Sequence, residues 1–303
     1  MSVRLAGFAS GLGAVLLVCT AAGAQPETSE PQEPSVEQNR EIVVQGQRFE
    51  ERKQELREQL RVLIAESGNQ IARVENRVCP SVLGLRSADA REIKRLILDN
   101  ARQLGLEQAR MPCVATATVI FNSDPHGFMN RIRRKEPAYF SGMRPAQIKR
   151  LVDEVRPAYA WQTIDMRDAD DPKGRIVKSP ENDRVMRPAY LSRIYSSATY
   201  AIDKSFLVLD TKRTKGMTLQ QIADFATLHL LLQLQADSNE KAREGSILRL
   251  FHVDDPASMP EFMDDFDWNM LQSVYAVEAN NRAGSQQRRQ IANKIIAQED
   301  RGN

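Results

Sequence analysis

Residues 206–234 read FLVLDTKRTKGMTLQQIADFATLHLLLQL, and this stretch limits the available folds more than any other. Phe206, Leu207, Val208 and Leu209 are consecutive and apolar, so a strand here turns apolar groups to both faces and needs cover on each. A polar turn follows, then a helical pattern with Thr218 as N-cap and Gln221 at the capping-box position three residues later. Leu219, Ile222, Ala223, Ala226, Leu230 and Leu234 make one side of that helix, and Leu228, Leu231 and Leu232 widen it. A helix so apolar has to be enclosed by a sheet and a neighbouring helix. A central strand at 199–210 feeding a buried helix is the signature of an α/β layer.

The rest of the chain extends that pattern. Strands are predicted over 71–78, after which Pro80 and Gly84 interrupt regular structure, over 113–121 and over 158–166. Amphipathic helices are predicted over 89–106, from Pro125 with Ser123 or Asp124 as N-cap, over 144–153, within 258–277 and over 285–298. Residues 168–175 read as an exposed turn and 176–189 as a surface loop. The expected fold class is α/β (or α+β), a single domain at 70–300 with a mixed sheet of about four strands packed by helices. Before it, 49–69 holds an amphipathic helix and connection, with Leu56, Leu60, Leu63 and Ile64 on one face.

The amino-terminal segment carries a different message. One basic residue, Arg4, precedes the apolar run LAGFASGLGAVLLVCTAAGA, and Ala22 and Ala24 form an A-x-A site before Gln25. That is a secretory signal over 1–24, which places the mature protein in the periplasm or outside the cell. Residues 25–40, rich in Pro, Glu, Gln and Ser, form a disordered leader, and EIVVQGQR at 41–48 is a short β-prone segment that closes it. No later stretch is long and apolar enough to be a stable transmembrane segment after cleavage. Export leaves Cys79 and Cys113 as an even pair in an oxidising compartment, and a disulfide between them is expected.

Charge narrows the functional classes. Losing 1–24 removes only Arg4 from the 42 basic residues and none of the 40 acidic ones, leaving 41 against 40. Near neutrality argues against nucleic acid as a partner, since clustered positive potential is its first requirement. The run RIRRKE at 131–136 reads as a solvated helix end.

The residues able to do chemistry are few. Asp224 lies one turn into the buried helix, where unpaired backbone N–H groups and the helix dipole favour negative charge; if buried, it needs donors and would join the helix to a neighbouring loop. His229 falls in the apolar sector of the same helix and reads as a neutral core histidine. Asp264, Asp265 and Asp267 begin a later helix and match its amino-terminal charge. As a catalytic set, the best available from sequence is Asp224 and His229 with Asp264, Asp265 or Asp210, carboxylates that would meet only in three dimensions. With three histidines, His126, His229 and His252, and none at the spacing of helix-borne zinc ligands, no metal site is expected. No cofactor is expected either, because the chain has neither a P-loop nor a Gly-rich dinucleotide fingerprint, and it lacks the G-x-S-x-G elbow of serine hydrolases.

Taken together, VCPSVLGL at 78–85, CVATATVIFNSDPHGFMNRI at 113–132, FLVLD with KGMTLQQIADFATLHLL, and FDWNMLQSVY resemble an uncharacterised family of exported alphaproteobacterial proteins, over about 70–300. A fold-level resemblance to zinc peptidases also exists, in which Ala223 to Thr227 stand where a His-Glu pair and a second His would be required; it implies a pseudo-peptidase scaffold without metal. The function expected is a non-catalytic periplasmic domain that binds an envelope protein or peptide. The alternatives are a carboxylate-dependent hydrolase and a small-molecule carrier, and the sequence sets no oligomeric state. Amino-terminal sequencing of the protein recovered from a bacterial host's periplasm should begin at Gln25; an intact Met1 in the mature protein would remove the export reading.

Overall fold

In the computed structural model the described residues are 36–168, 198–253, 255–277 and 282–302. The signal at 1–24, residues 25–35 of the leader and the loop at 176–189 lie outside them. The chain divides into two units, 1–46 and 47–303. Helix α1 runs over Val36–Leu63, so the reading of 36–40 as disordered leader and of 41–48 as β-prone is corrected to helix. A short apolar run does not distinguish strand from helix by periodicity, and the Glu, Gln and Arg residues around Ile42, Val43 and Val44 are good helix formers.

The sheet is organised around β5 (Ala198–Asp210). One edge of β5 pairs antiparallel with β4 (Ala158–Asp168) from Ala158↔Leu209 to Asp168↔Ala198. Its other edge is shared: β1 (Arg73–Val74) pairs parallel at Ala201 and Ile202, and β3 (Ala117–Asn122) pairs parallel from Ser205 to Asp210. The β4 register slips by one residue between Thr163↔Lys204 and Ile164↔Ile202, opposite the place where β1 gives way to β3. β2 (Pro80–Leu83) pairs parallel with β3 and completes a five-stranded mixed sheet.

Two of these strands differ from expectation. The predicted strand at 71–78 resolves into the two-residue β1 and, after a break, β2. Val78 turns away to the segment at 107–109, donating to the Glu107 carbonyl at 2.8 Å and accepting from Ala109 at 3.0 Å. Pro80 opens β2 rather than interrupting it, a position where the missing N–H removes no ladder bond. β3 begins at Ala117 instead of Cys113 because Cys113 is tied to Cys79, with a Cα–Cα separation of 6.2 Å. Thr116 Oγ1 strengthens the same junction by accepting from the Cys79 N–H at 2.9 Å.

Alternation along the strands divides the core in two. Leu207 and Leu209 of β5, with Val119 and Phe121 of β3, join the larger cluster. Phe206 and Val208, with Tyr159 and Trp161 of β4, join a smaller one on the opposite face. The larger face is covered by α1, α2 (Ser87–Gln103), α5 (Leu219–Leu231), α7 (Asp265–Ala276) and α8 (Gly284–Gly302). Leu56, Leu60, Leu63 and Ile64 are buried in that cluster, which makes the carboxy-terminal part of α1 integral to the domain rather than a preceding element. The smaller face is covered by α3 (Pro125–Lys135), the 3-10 turn Pro137–Phe140 and α4 (Pro145–Asp153). Trp161 stacks between Phe140 and Phe206 there, at centroid distances of 5.5 and 5.0 Å.

Local signals account for the helix starts. Asp124 caps α3 by accepting from Gly127 N–H at 2.9 Å, with Pro125 at the first position. Thr218 and Gln221 close the reciprocal capping box of α5 at 3.1 and 2.8 Å. Beyond α5 an extended segment leads to the single turn α6 (Ser238–Lys241). Among the described residues no helix is long and apolar enough to cross a membrane.

The Cys79–Cys113 bond closes a loop with a sequence separation of 34, which corresponds to roughly 3–4 kcal/mol of unfolded-state entropy. A C79S/C113S variant should lose about that much stability in urea denaturation; an unchanged transition would show that the bond contributes nothing.

Candidate functional site

Asp224 and His229 lie five residues apart on α5, about 140° around its axis, and they face different neighbours. Asp224 is buried. Its Oδ1 accepts from Asn100 Nδ2 at 2.9 Å and Gln220 Nε2 at 2.8 Å, and its Oδ2 accepts from the Met263 N–H at 3.2 Å. Asn100 also donates to Thr227 Oγ1 at 3.0 Å. The carboxylate thus ties α5 to α2 and to the segment before α7. Both its oxygens are engaged, and at 3% exposure it presents neither to a substrate.

The other expected acids are dispersed. Asp264 caps α7, accepting from Asp267 N–H at 2.8 Å and from Arg243 Nε and Nη2 at 3.1 and 2.8 Å. Asp265 is exposed on the first turn of α7. Asp210 accepts from Lys212 N–H at 2.8 Å in the turn after β5. Among the described residues no hydrogen bond and no common donor links Asp224 to Asp210, Asp264 or Asp265. The acid in an unusual state is Asp267, which sequence reasoning treated only as helix-end charge. It is fully buried and accepts from Ser246 Oγ and Ile247 N–H, each at 2.7 Å. Burial, reinforced by the charge of Asp264, pushes its pKa up to about 7.

His229 is also buried, with Nε2 at 3.0 Å from Asn239 Oδ1 and its ring 4.4 Å from that of Phe225. Burial pulls its pKa down to about 4 against the opposing effect of the Asn239 bond, so the ring is neutral and Nε2–H donates to Asn239. His229 differs from Asp224 in one respect. It is among the residues that line a groove of about 810 Å³.

The groove follows β4. Ala158, Ala160, Gln162, Ile164 and Met166, which alternate onto one face of that strand, line its floor. One wall comes from Gly142 to Leu151, the loop and helix α4 that cover the smaller core; the other comes from residues 233–239, beyond the end of α5 on the opposite face. A cavity bordered by elements from both faces straddles the outer edge of β4. Among the described residues no strand pairs with that edge. The carboxyl ends of the parallel strands, where open α/β sheets commonly hold ligands, are drawn together instead. Thr211 N–H bonds to the Asn122 carbonyl at 3.1 Å, and Gly84, at φ +86°, lies so close to β3 that a Cβ would stand 2.2 Å from the Phe121 carbonyl oxygen.

Several contacts hold the groove in shape. Gln162 Nε2 donates to the carbonyls of His229 and Leu232 at 2.6 and 3.1 Å, fixing the end of α5 to the floor. Tyr159 OH donates to the Glu154 carbonyl and accepts from Arg156 N–H, at 2.9 and 3.0 Å, which sets the loop carrying Arg156. Arg156 Nη1 then reaches the Ala236 carbonyl at 2.7 Å and joins the two walls. Behind the helix, Tyr275 OH donates to the Leu231 carbonyl at 2.7 Å and accepts from Val74 N–H at 3.3 Å. Of the groove residues, sequence points to His229 and Leu234 as parts of the α5 pattern and to Trp161 as a core or groove candidate, and to none of the others. The legible signals were Arg144, Gln147 and Arg150 at intervals of three on one helix and small alanines at 158 and 160 in a strand otherwise rich in large residues.

Among the described residues no group of three His, Cys, Asp or Glu side chains is placed to hold a metal ion. The fold is an α/β sheet in which Ala223 to Thr227 are packing residues of α5. Comparison of the chain with protein-family models, with curated proteins and with solved structures finds no match in any of the three.

The two perturbed groups act on stability with opposite signs. His229 stays neutral in the fold while the unfolded chain takes up a proton below its ordinary value of 6.5, so stability falls as pH drops from about 6.5 to about 4. Asp267 keeps its proton in the fold up to about 7 while the unfolded chain ionises from 3.8, so stability falls as pH rises across that interval. Each contribution is on the order of 3 kcal/mol. Relative to wild type, H229Q should become progressively more stable as pH is lowered from 7 to 4.5, and D267N as pH is raised from 5 to 8, in urea titrations at each pH. Differences independent of pH would show that neither group is held in its neutral form.

Proposed function

We propose that this chain is a non-catalytic binding domain of the cell envelope, related to exported alphaproteobacterial proteins, whose groove receives an extended segment of a protein or peptide. The observation that carries the reading is the groove of about 810 Å³ along the outer edge of β4. An edge strand presents a row of N–H and C=O groups, and an incoming extended segment pairs with them as an added strand. Ala158 and Ala160 leave room above the floor, and Met143, Leu151, Ile164 and Leu234 offer apolar contact for alternate side chains.

The amino-terminal sequence points the same way. The apolar run before Gln25 and the disulfide suit a protein of the periplasm. The engagement of both Asp224 oxygens by internal donors weighs against the hydrolase alternative. A small-molecule carrier calls for an enclosed, mainly apolar cavity, whereas this groove is open and its lining mixes polar and apolar side chains.

Isotope-labelled protein titrated with peptides selected from a random linear library should show chemical-shift changes on the backbone amides of 158–164 and 233–239. N-methylation of alternate peptide amides should abolish binding. Shifts confined to the turns after β3 and β5, or binding indifferent to backbone methylation, would overturn strand addition at this edge.

A further inference from the structure

The groove wall has a chemical bias that the strand edge alone does not require. Its charged lining residues are Arg144, Arg150, Arg156 and Glu66. Glu66 is neutralised by an ion pair with Arg288. Glu154, outside the lining, is shared between Arg150 at 3.9 Å and Arg156. Counting Arg288 and Glu154 with the lining, four cations face two carboxylates. Arg144 has no acidic partner among the described residues, and Arg150 has the long contact to Glu154 and the nearby charge of Asp237, which is itself paired with Lys241.

Gln162 and Gln235 spend their NH2 groups on backbone carbonyls, but three other amides lean the same way as the arginines. Gln147 and Gln233 use their side-chain oxygens within the protein, accepting from Arg144 N–H at 2.9 Å and from Ser67 Oγ at 3.0 Å. Asn239 likewise uses its oxygen on His229. Their NH2 groups have no protein acceptor among the described residues. Ser238 borders the groove at 1% exposure with its hydroxyl unpartnered, and Arg156 Nε is buried without an acceptor. Buried donors without acceptors are uncommon in folded proteins. Both atoms are enclosed within the wall, so the groups open to an occupant are the amide NH2 groups and the guanidinium groups of Arg144 and Arg150.

Resting on the strand-addition reading, we infer that the segment received by this groove is acidic: an extended peptide whose carboxylate meets Arg144 and Arg150 while its backbone follows β4. Both arginines are exposed, on or beside the first two turns of α4, at the spacing that puts them on one side with Gln147 between. The carboxylate belongs either to an Asp or Glu side chain or to a chain terminus, and the two sources are separable by experiment.

The test uses full-length mature protein and fluorescein-labelled decapeptides of alternating valine and threonine in which several threonines are replaced by glutamate. Companion peptides carry glutamine at those positions, and each is made with a free or an amidated carboxyl terminus. By fluorescence anisotropy, wild type should bind the glutamate peptide roughly three- to tenfold more tightly than its glutamine counterpart, with the advantage shrinking at high salt. R144Q/R150Q, exposed substitutions whose folding is checked by circular dichroism, should erase that preference while still binding the glutamine peptide. A preference that follows the free terminus instead of the glutamates assigns the carboxylate to a chain end and supports the inference equally. Equal binding of all four peptides, with no effect of R144Q/R150Q, would overturn the acidic occupant and leave strand addition standing. No binding of any peptide would overturn both.

Discussion

Everything in this structure depends on a strand with only two edges having to serve three partners. β4 occupies the whole of one edge of β5, so β1 and β3 divide the other, and the register slips opposite the point of division. Because Phe206, Leu207, Val208 and Leu209 are all apolar, both faces of β5 demand cover. Two cores result, one on each side of the sheet, and helices are recruited to both. The same pairing leaves β4 at the margin with its second edge beside the groove. An outer strand next to an open cavity is thus a consequence of how the centre of the sheet is built.

The buried polar groups behave as joints of that scaffold. Asp224 links α5 to α2 and to the approach of α7, Gln162 links the end of α5 to β4, and Tyr275 links it to β1. Each satisfies donors or acceptors that would otherwise be costly to bury. Their combined effect is to hold α5 rigidly against the sheet, and with it the chain from Gln233 to Asn239 that forms one wall of the groove. His229 belongs to this system too, since its Nε2–H bond to Asn239 braces α6 against α5. A polar residue in an apolar helix was a reasonable place to look for chemistry, but here the polarity connects elements. Among the described residues, the amide NH2 groups of Gln147, Gln233 and Asn239 are left without protein acceptors at the groove, which is where recognition has chemical means.

Much of the fold was legible because it is written in local patterns. The capping box of Thr218 and Gln221, Asp124 before Pro125, and the apolar periodicity of α2 each depend on residues within a few positions of one another, and these elements appear where expected. The first strand was read poorly because its breaks are made by distant partners. Val78 turns to Glu107 and Ala109, and Cys79 is held by Cys113. The helix over 41–48 was missed for a different reason: three β-branched residues in a row outweighed their neighbours in the reading, although a short run of this kind is ambiguous between the two states.

The sequence alone determined the layer class, the position of the central strand and its following helix, and the cysteine pair, because hydrophobic alternation, helix capping and residue chemistry act at short range or by type. Tertiary structure alone decided that β4 lies at the margin, that Asp224 and His229 look in different directions, and that Arg144, Gln147, Arg150, Ser238 and Asn239 border one cavity. Those facts depend on which edge of β5 each strand takes and on which face each helix lands. No local pattern records that choice, since it is made by pairing and packing between residues distant in the chain, such as Val74 and Tyr275, 201 positions apart.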